Sequence, residues 1–212
     1  MSVQLRPEEI EAESFRIIDA EVGPHDWPAT EWPVVRRAIH TSADFDYART
    51  MVFSPDAVGR GLAALRSGRG IATDTTMALA GINKGLLERF GVPVCCFVAD
   101  PQVSAEASRL GITRSILAMR KAATDPGNGI FIIGNAPTAL FELLRLVREE
   151  QFHPDLVIGL PVGFVGAEES KEELLREASG HAIPFITNRG RKGGSNVAAA
   201  VVNALLKLAE SC

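Results

Sequence analysis

The chain has 212 residues, of which 46% are apolar and 23% charged, with a formal net charge of −4. That composition suits one ordinary domain with its own core, and it excludes a disordered chain, a collagen-like fibre and a coiled coil. A net acidic chain offers no global positive field, so nucleic acid is not an expected partner.

The opening stretch from Met1 to Glu9 is acidic and has no apolar core, which argues against a signal peptide. Pro7 then opens a helix whose first turns carry Glu8, Glu9, Glu11 and Glu13, the charge that a helix N-terminus prefers. Ile10, Ser14, Ile17 and Ile18 fall on one stripe, and Gly23-Pro24 ends the helix. Pro28 and Pro33 bracket the start of a second helix that His40 closes. A third is expected after Ser54-Pro55-Asp56, with Ser54 as N-cap, ending at Ser67-Gly68.

From residue 70 the rhythm changes. Continuous apolar runs stand at 70–73, 94–98, 130–133, 156–160 and 183–187, and helical patterns follow at 76–90, 102–124, 137–150, 167–178 and 195–210. Unbroken apolar runs suit strands covered on both faces, and strand–helix alternation at this spacing means right-handed crossovers. The expected fold is α/β, a three-layer α/β/α domain over 1–212. A helical N-terminal segment (1–69) packs on a five-stranded, mainly parallel sheet core (70–212). No run of about 18 apolar residues occurs, since Asn203 and Lys207 break the longest candidate, so no membrane span is expected. Cys95 and Cys96 are neighbours and Cys212 ends the chain. That pattern supports neither a disulfide frame nor a zinc site and suits buried thiols in a reducing cytoplasm.

In open parallel sheets ligands bind beyond the carboxyl ends of the strands. Those ends are rich in small polar residues: Thr73-Asp74-Thr75-Thr76, Ala99-Asp100-Pro101, Gly134-Asn135-Ala136-Pro137-Thr138, Pro161-Val162-Gly163-Phe164 and Asn188 to Ser195. Thr138 and Ser195 would serve as helix caps in any case. No GxGxxG, GxxxxGK[ST], HExxH, GxSxG or EF-hand loop is present, so no cofactor and no dedicated metal are expected. Arg189, Arg191, Lys192, Gly193 and Ser195 form a basic, glycine-containing loop ahead of a helix, which reads either as a carboxylate or phosphate clamp or as a solvated basic loop. Arg37 and His40 are three apart and share a helix face. The helix end and the downstream Asp44 and Asp46 would favour imidazolium, and a group near neutral pKa beside a fixed cation is what proton transfer to a polyanion requires; the alternative reading of His40 is a helix cap alone. Arg37 paired with Asp44 or Asp46 would be a surface bridge of little energy. Ser14, on the apolar stripe, reads as a hydroxyl bonded back to the preceding turn.

Several stretches together resemble the precorrin-8X methylmutases of cobalamin biosynthesis. They are Glu13-Ser14-Phe15-Arg16-Ile17-Ile18, Arg37-Ala38-Ile39-His40-Thr41-Ser42-Ala43-Asp44-Phe45-Asp46, Thr73 to Ile82, Gly134 to Ala139, Pro161 to Val165 and Asn188 to Ser195. The resemblance runs in order over nearly the whole chain. It implies an isomerase that moves a methyl group from C-11 to C-12 of a ring-contracted tetrapyrrole without a cofactor, giving hydrogenobyrinate, or cobyrinate when cobalt is already inserted. It places the family's proton donor and acceptor on His40 and its substrate-contacting serine and arginine on Ser14 and Arg37. It also implies a cytoplasmic homodimer, a polycarboxylate tetrapyrrole as substrate, and transfer of intermediates to or from neighbouring pathway enzymes. The strand-end residues Thr73, Asp74, Thr75, Arg189, Arg191, Lys192, Gly193 and Ser195 are then expected to contact substrate. Met77, Phe164 or Val165 would meet its apolar ring, and His40 would be oriented by Asp44 or a backbone carbonyl. The rival readings are a tetrapyrrole carrier without catalysis, a nucleotide-binding Rossmann-like enzyme and a purely structural interaction protein.

Overall fold

The structure, a computed structural model, describes residues 6–211; Met1–Leu5 and Cys212 lie outside the described residues. The N-terminal part runs α1 (Pro7–Val22), α2 (Trp32–Ser42), α3 (Tyr47–Thr50), β1 (Met51–Phe53) and α4 (Ala57–Arg66). The remainder runs β2 (Gly70–Thr73), α5 (Thr76–Gly81), α6 (Lys84–Phe90), β3 (Val94–Cys95), α7 (Pro101–Leu110), α8 (Arg114–Ala123), β4 (Asn128–Ile133), α9 (Pro137–Glu150), β5 (Leu156–Gly159), α10 (Ala167–His181), β6 (Phe185–Asn188) and α11 (Ser195–Ser211).

The sheet has six strands in the order β1-β6-β5-β4-β2-β3. All neighbours are parallel except β1, which pairs antiparallel with β6 through Met51↔Asn188, Val52↔Thr187 and Phe53↔Ile186. The N-terminal segment is therefore not purely helical, and the expected five strands become six. Met51-Val52-Phe53 is too short to show a period of its own, and only its edge partner makes it a strand. Side chains alternate across the central strands. Ile71, Ile130, Ile132, Leu156, Ile158 and Ile186 pack against α1, α2, α4, α6 and α11. Ala72, Phe131, Ile133, Val157 and Phe185 pack against α7 to α10. Both faces are dry, which gives the three layers and explains the unbroken apolar runs. Each fully buried Ile or Leu there contributes about 1.5–3 kcal/mol.

Three other expectations change. The helices read as 76–90 and 102–124 are each two helices. Asn83 breaks the first by capping α6, its side chain accepting from Leu86 N at 3.1 Å. Gly111, at φ 66°, breaks the second, and Thr113 caps α8. Ser54 is no N-cap: its Oγ accepts from Phe185 N at 2.8 Å and ties the end of β1 to β6, while Asp56 stands at the cap of α4. The second helix runs past His40 to Ser42 and ends where Ala43 turns left-handed at φ 53°. Among the described residues no helix is long and apolar enough to cross a membrane.

Candidate active site

The strand order reverses between β2 and β4, so the crevice where ligands of such sheets commonly bind opens between their carboxyl ends. Here the chain fills that crevice itself. The Asp74 carboxylate accepts from the backbone N–H groups of Gly134, Asn135 and Ala136 at 2.9, 2.8 and 2.7 Å. Asp74 is 1% exposed. Burial pushes its carboxyl above the usual range, and the three N–H donors offset only part of that rise. Asp74, expected to contact substrate, is thus turned inward, with its carboxyl seated on the backbone at the start of α9. Thr73 is also fully buried, its hydroxyl donating to Thr75 O at 3.0 Å. Thr75 caps α5 by accepting from Ala78 N, and its Oγ1 lies 2.8 Å from Ser195 Oγ. Thr138 is not a cap: its hydroxyl meets that of Thr113 at 3.0 Å, while Ala136 and Pro137 open α9.

The loop from Arg189 to Gly194 sits over this point. Gly193 has φ 159°, and a Cβ there would strike the carbonyls of Leu160 and Pro161, so the loop lies flush against the end of β5. Its cations are internally paired: Arg189 with Glu172 at 3.1 Å, Arg191 with Glu168 at 3.7 Å, and Lys192 with Asp44 and Asp46 at 2.5 and 2.6 Å. These pairs are exposed, so each is worth only about 0–1 kcal/mol and can be exchanged for a ligand carboxylate. Beside them the loop after β5 leaves Phe164 and Val165 85% and 89% exposed, with the Arg191 guanidinium 5.8 Å from the Phe164 ring. Met77, at 69% exposure, is open as well.

His40 belongs to a second cluster, on the face formed by α1, α2 and α11. Its ring meets Phe15 edge-on at 5.3 Å, and the guanidiniums of Arg36 and Arg37 lie 4.3 and 4.6 Å from the same Phe15 ring. Arg37 donates to Glu11 Oε2 at 2.7 Å, and Lys207 of α11 donates to Glu11 Oε1 at 2.6 Å. The two hydrogen bonds, Arg37 first, hold the Glu11 carboxyl down to about 2. Burial, then the charge of Arg37, and last that of Lys207 lower the His40 pKa below its ordinary value, opposed only by Glu11. His40 is therefore a neutral imidazole at neutral pH. The expectation of an imidazolium held by Asp44 and Asp46 fails, because those carboxylates are taken by Lys192 and Arg49. For the same reason Asp44 does not orient His40, and Arg37 pairs with Glu11 instead of with either aspartate. Ser14 donates to Ile10 O at 2.7 Å, the bond back to the preceding turn that its place on the stripe allowed. Of that stripe only Ile18 is core, while Ile10 and Ile17 are 52% and 43% exposed.

The site residues read from the sequence thus fall into two groups at the two ends of α11. Ser195 and Lys207 are twelve residues apart, about 18 Å at helical rise. Lys192 links the groups by bridging to the turn that follows the His40 helix. Phe15, Glu11 and Lys207 were missed by sequence reasoning. The one usable signal was Lys207, a cation interrupting an otherwise apolar helix. Among the described residues no group of three His, Cys, Asp or Glu is placed to hold a metal ion.

The precorrin-8X methylmutase family model matches residues 9–208. A cobalt-precorrin-8 methylmutase of Priestia megaterium is 49% identical over 98% of this chain and 90% of its own length. One from Salmonella typhimurium is 48% identical over 95% of each chain. The solved precorrin-8x methyl mutase of Thermus thermophilus superposes with a TM-score of 0.85 at 41% identity, covering 95% of this chain and 98% of that one. Identity at this level over the whole domain, on the same fold, settles the assignment: the chain belongs to the precorrin-8X methylmutase family, isomerases of cobalamin biosynthesis.

Proposed function

We propose that this enzyme moves the methyl group of precorrin-8X, or of cobalt-precorrin-8, from C-11 to C-12, with His40 as proton donor and acceptor. The bond from C-11 to the methyl carbon breaks and the bond from C-12 forms, so substrate and product are isomers, hydrogenobyrinate or cobyrinate being the product. The step is redox-neutral and consumes no ATP, so it calls for no cofactor. The observation that carries the reading is the setting of His40: a half-buried neutral imidazole, wedged against Phe15 and flanked by two cations that a polyanion would engage.

That setting has a direct consequence. Burial holds the imidazole below its usual pKa and the charges of Arg37 and Lys207 add to it, and carboxylates of an incoming tetrapyrrole neutralise those two charges. Binding therefore raises the His40 pKa and loads it with a proton. His40 then protonates the conjugated ring near the migrating methyl, which lowers the barrier, and takes the proton back when the shift is complete. Ser14 and Arg37 contact the substrate on this face. Arg189, Arg191, Lys192, Gly193 and Ser195 hold its more distant carboxylates, with Phe164 as an apolar support. Thr75 completes that end through its bond to Ser195, while Thr73 and Asp74 act from beneath as supports. The enzyme works in the cytoplasm as a homodimer and exchanges intermediates with neighbouring pathway enzymes.

Mixing the purified chain with precorrin-8X and following the absorbance spectrum tests the reaction. Conversion to the product spectrum supports the proposal. Tight binding with an unchanged tetrapyrrole would replace it with a carrier role.

A further inference from the structure

The most deeply buried cation described in the molecule lies under the basic loop. Lys171 of α10 is 1% exposed. Among the described residues its ammonium is hydrogen-bonded to loop oxygens and not to a carboxylate: Lys192 O at 2.7 Å and Asn188 Oδ1 at 3.2 Å. Asn188, itself fully buried, turns its Nδ2 to the same Lys192 carbonyl at 3.0 Å and to Arg189 O at 3.1 Å. One helical turn of α10 thus addresses the whole loop. Lys171 grips its backbone from below, while Glu168 and Glu172 on either side pair with Arg191 and Arg189.

Burying an ammonium without a bonded carboxylate is unfavourable, and a methionine would fill the same space without that cost. What the charge supplies is a fixed geometry for two loop oxygens that no apolar side chain can hold, together with positive potential beneath the surface where a carboxylate would land. We propose that Lys171 is a positioning residue for substrate binding: its buried ammonium sets the conformation of residues 188–194, so that the cations and backbone N–H groups of that loop meet the carboxylates of the substrate. The proposal rests on the reading of that loop as a carboxylate-binding surface.

Burial brings the Lys171 pKa down to about 8, partly offset by Glu168 and Glu172. The charged groups acting on it are those two carboxylates on α10, while the cations of the loop above it are paired with Glu172, Glu168, Asp44 and Asp46. Below pH 8 the ammonium is charged and grips the loop; above it the amine keeps only two donors and loses the charge.

The test uses steady-state conversion of precorrin-8X by the full chain between pH 6.5 and 9.5. The variants are Lys171→Met, Lys171→Arg and the double variant Arg189→Ala/Arg191→Ala, with thermal melts as a check on folding. For Lys171→Met, KM is expected to rise about ten-fold with kcat within two-fold of the wild type, an effect of order RT ln 10 on binding alone. The wild-type KM should climb above pH 8. In Lys171→Arg, which stays charged, that climb should vanish. Should Lys171→Met not fold, the wild-type and Lys171→Arg pH profiles decide alone. A wild-type KM flat through pH 8, or a climb that persists in Lys171→Arg, overturns the proposal. So does a folded Lys171→Met with wild-type KM. If instead the double variant keeps the wild-type KM, the reading of the loop as the carboxylate site has failed, and the proposal falls with it.

Discussion

The guanidinium of Arg37 and the carboxylate of Glu11 meet at 2.7 Å across 26 residues of chain, joining α2 to α1 one turn from His40. The pair fixes where Arg37 can point, and Arg37 lowers the pKa of His40 while Glu11 raises it. The acid–base state of His40 is therefore set first by its burial and then by a balance of three side chains from three helices.

Removing the carboxylate should tip that balance. In Glu11→Gln the His40 pKa moves further down, and because His40 must carry a proton to act, the alkaline limb of the kcat/KM profile moves to lower pH with it. Stability should respond as well. The Glu11 pKa is about 2 in the folded chain and 4.5 unfolded, so its contribution is present above pH 4.5 and is lost as pH falls toward 2. Melts should show the variant lower than wild type by about 2–4 °C at pH 6, for a partly exposed pair worth about 1 kcal/mol. The gap should shrink by pH 3. An equal gap at both pH values would count against the pairing.

Asp74 should matter for folding more than for affinity. Asp74→Ala leaves three backbone N–H groups without their acceptor at the start of α9. Each buried unsatisfied donor costs about 1–3 kcal/mol, so the urea midpoint should fall by an amount corresponding to 3 kcal/mol or more. Asp74→Asn, which keeps one acceptor oxygen, should lose less. A wild-type midpoint for Asp74→Ala would mean that those N–H groups find another partner.

The close approach of β4 to α11 can be tested at Gly134. A Cβ built there lies 2.6 Å from Ser195 Cα and 2.9 Å from Ser195 N, both backbone atoms. Gly134→Ala must push the two elements apart, at a cost of about 1–3 kcal/mol. That lowers the melting temperature by roughly 4–8 °C for a loss of about 2 kcal/mol. An unchanged melting temperature would show that the two backbones separate freely.

Lys171 carries its own pH signature in stability. Its folded pKa is about 8 against 10.5 unfolded, so between those values unfolding takes up a proton and folding gains as pH rises. Wild type should therefore gain stability relative to Lys171→Met from pH 8 to pH 10, as read from denaturant midpoints. A difference that stays constant over that range would place the ammonium in contact with solvent.

The layers were legible because the apolar runs at 130–133 and 156–160 are unbroken, as strands with two dry faces must be. The edge strand Met51–Phe53 was not, since three residues carry no period and its pairing with Thr187 and its neighbours is a long-range event. The helix breaks at Asn83 and Gly111 are hidden in the sequence because apolar periodicity continues across them. In the site, the residue types at the strand ends were readable, but their partners were not. Nothing in the sequence says that Asp74 turns inward onto the 134–136 backbone, or that Lys192 spends its charge on Asp44 and Asp46. His40 and Arg37 could be placed on one helix face by spacing alone. Phe15, Glu11 and Lys207, which decide the charge of that face, come from other helices and become visible only once α1 and α11 are packed.

The central claim is that His40 carries the proton during the methyl shift, and the most direct measurement is single-turnover conversion of precorrin-8X by His40→Asn. The account predicts a folded variant that binds the tetrapyrrole within a few-fold of wild type, takes up no proton on binding and converts it about 10²–10⁴ times more slowly. Conversion at the wild-type rate by a folded His40→Asn would contradict it.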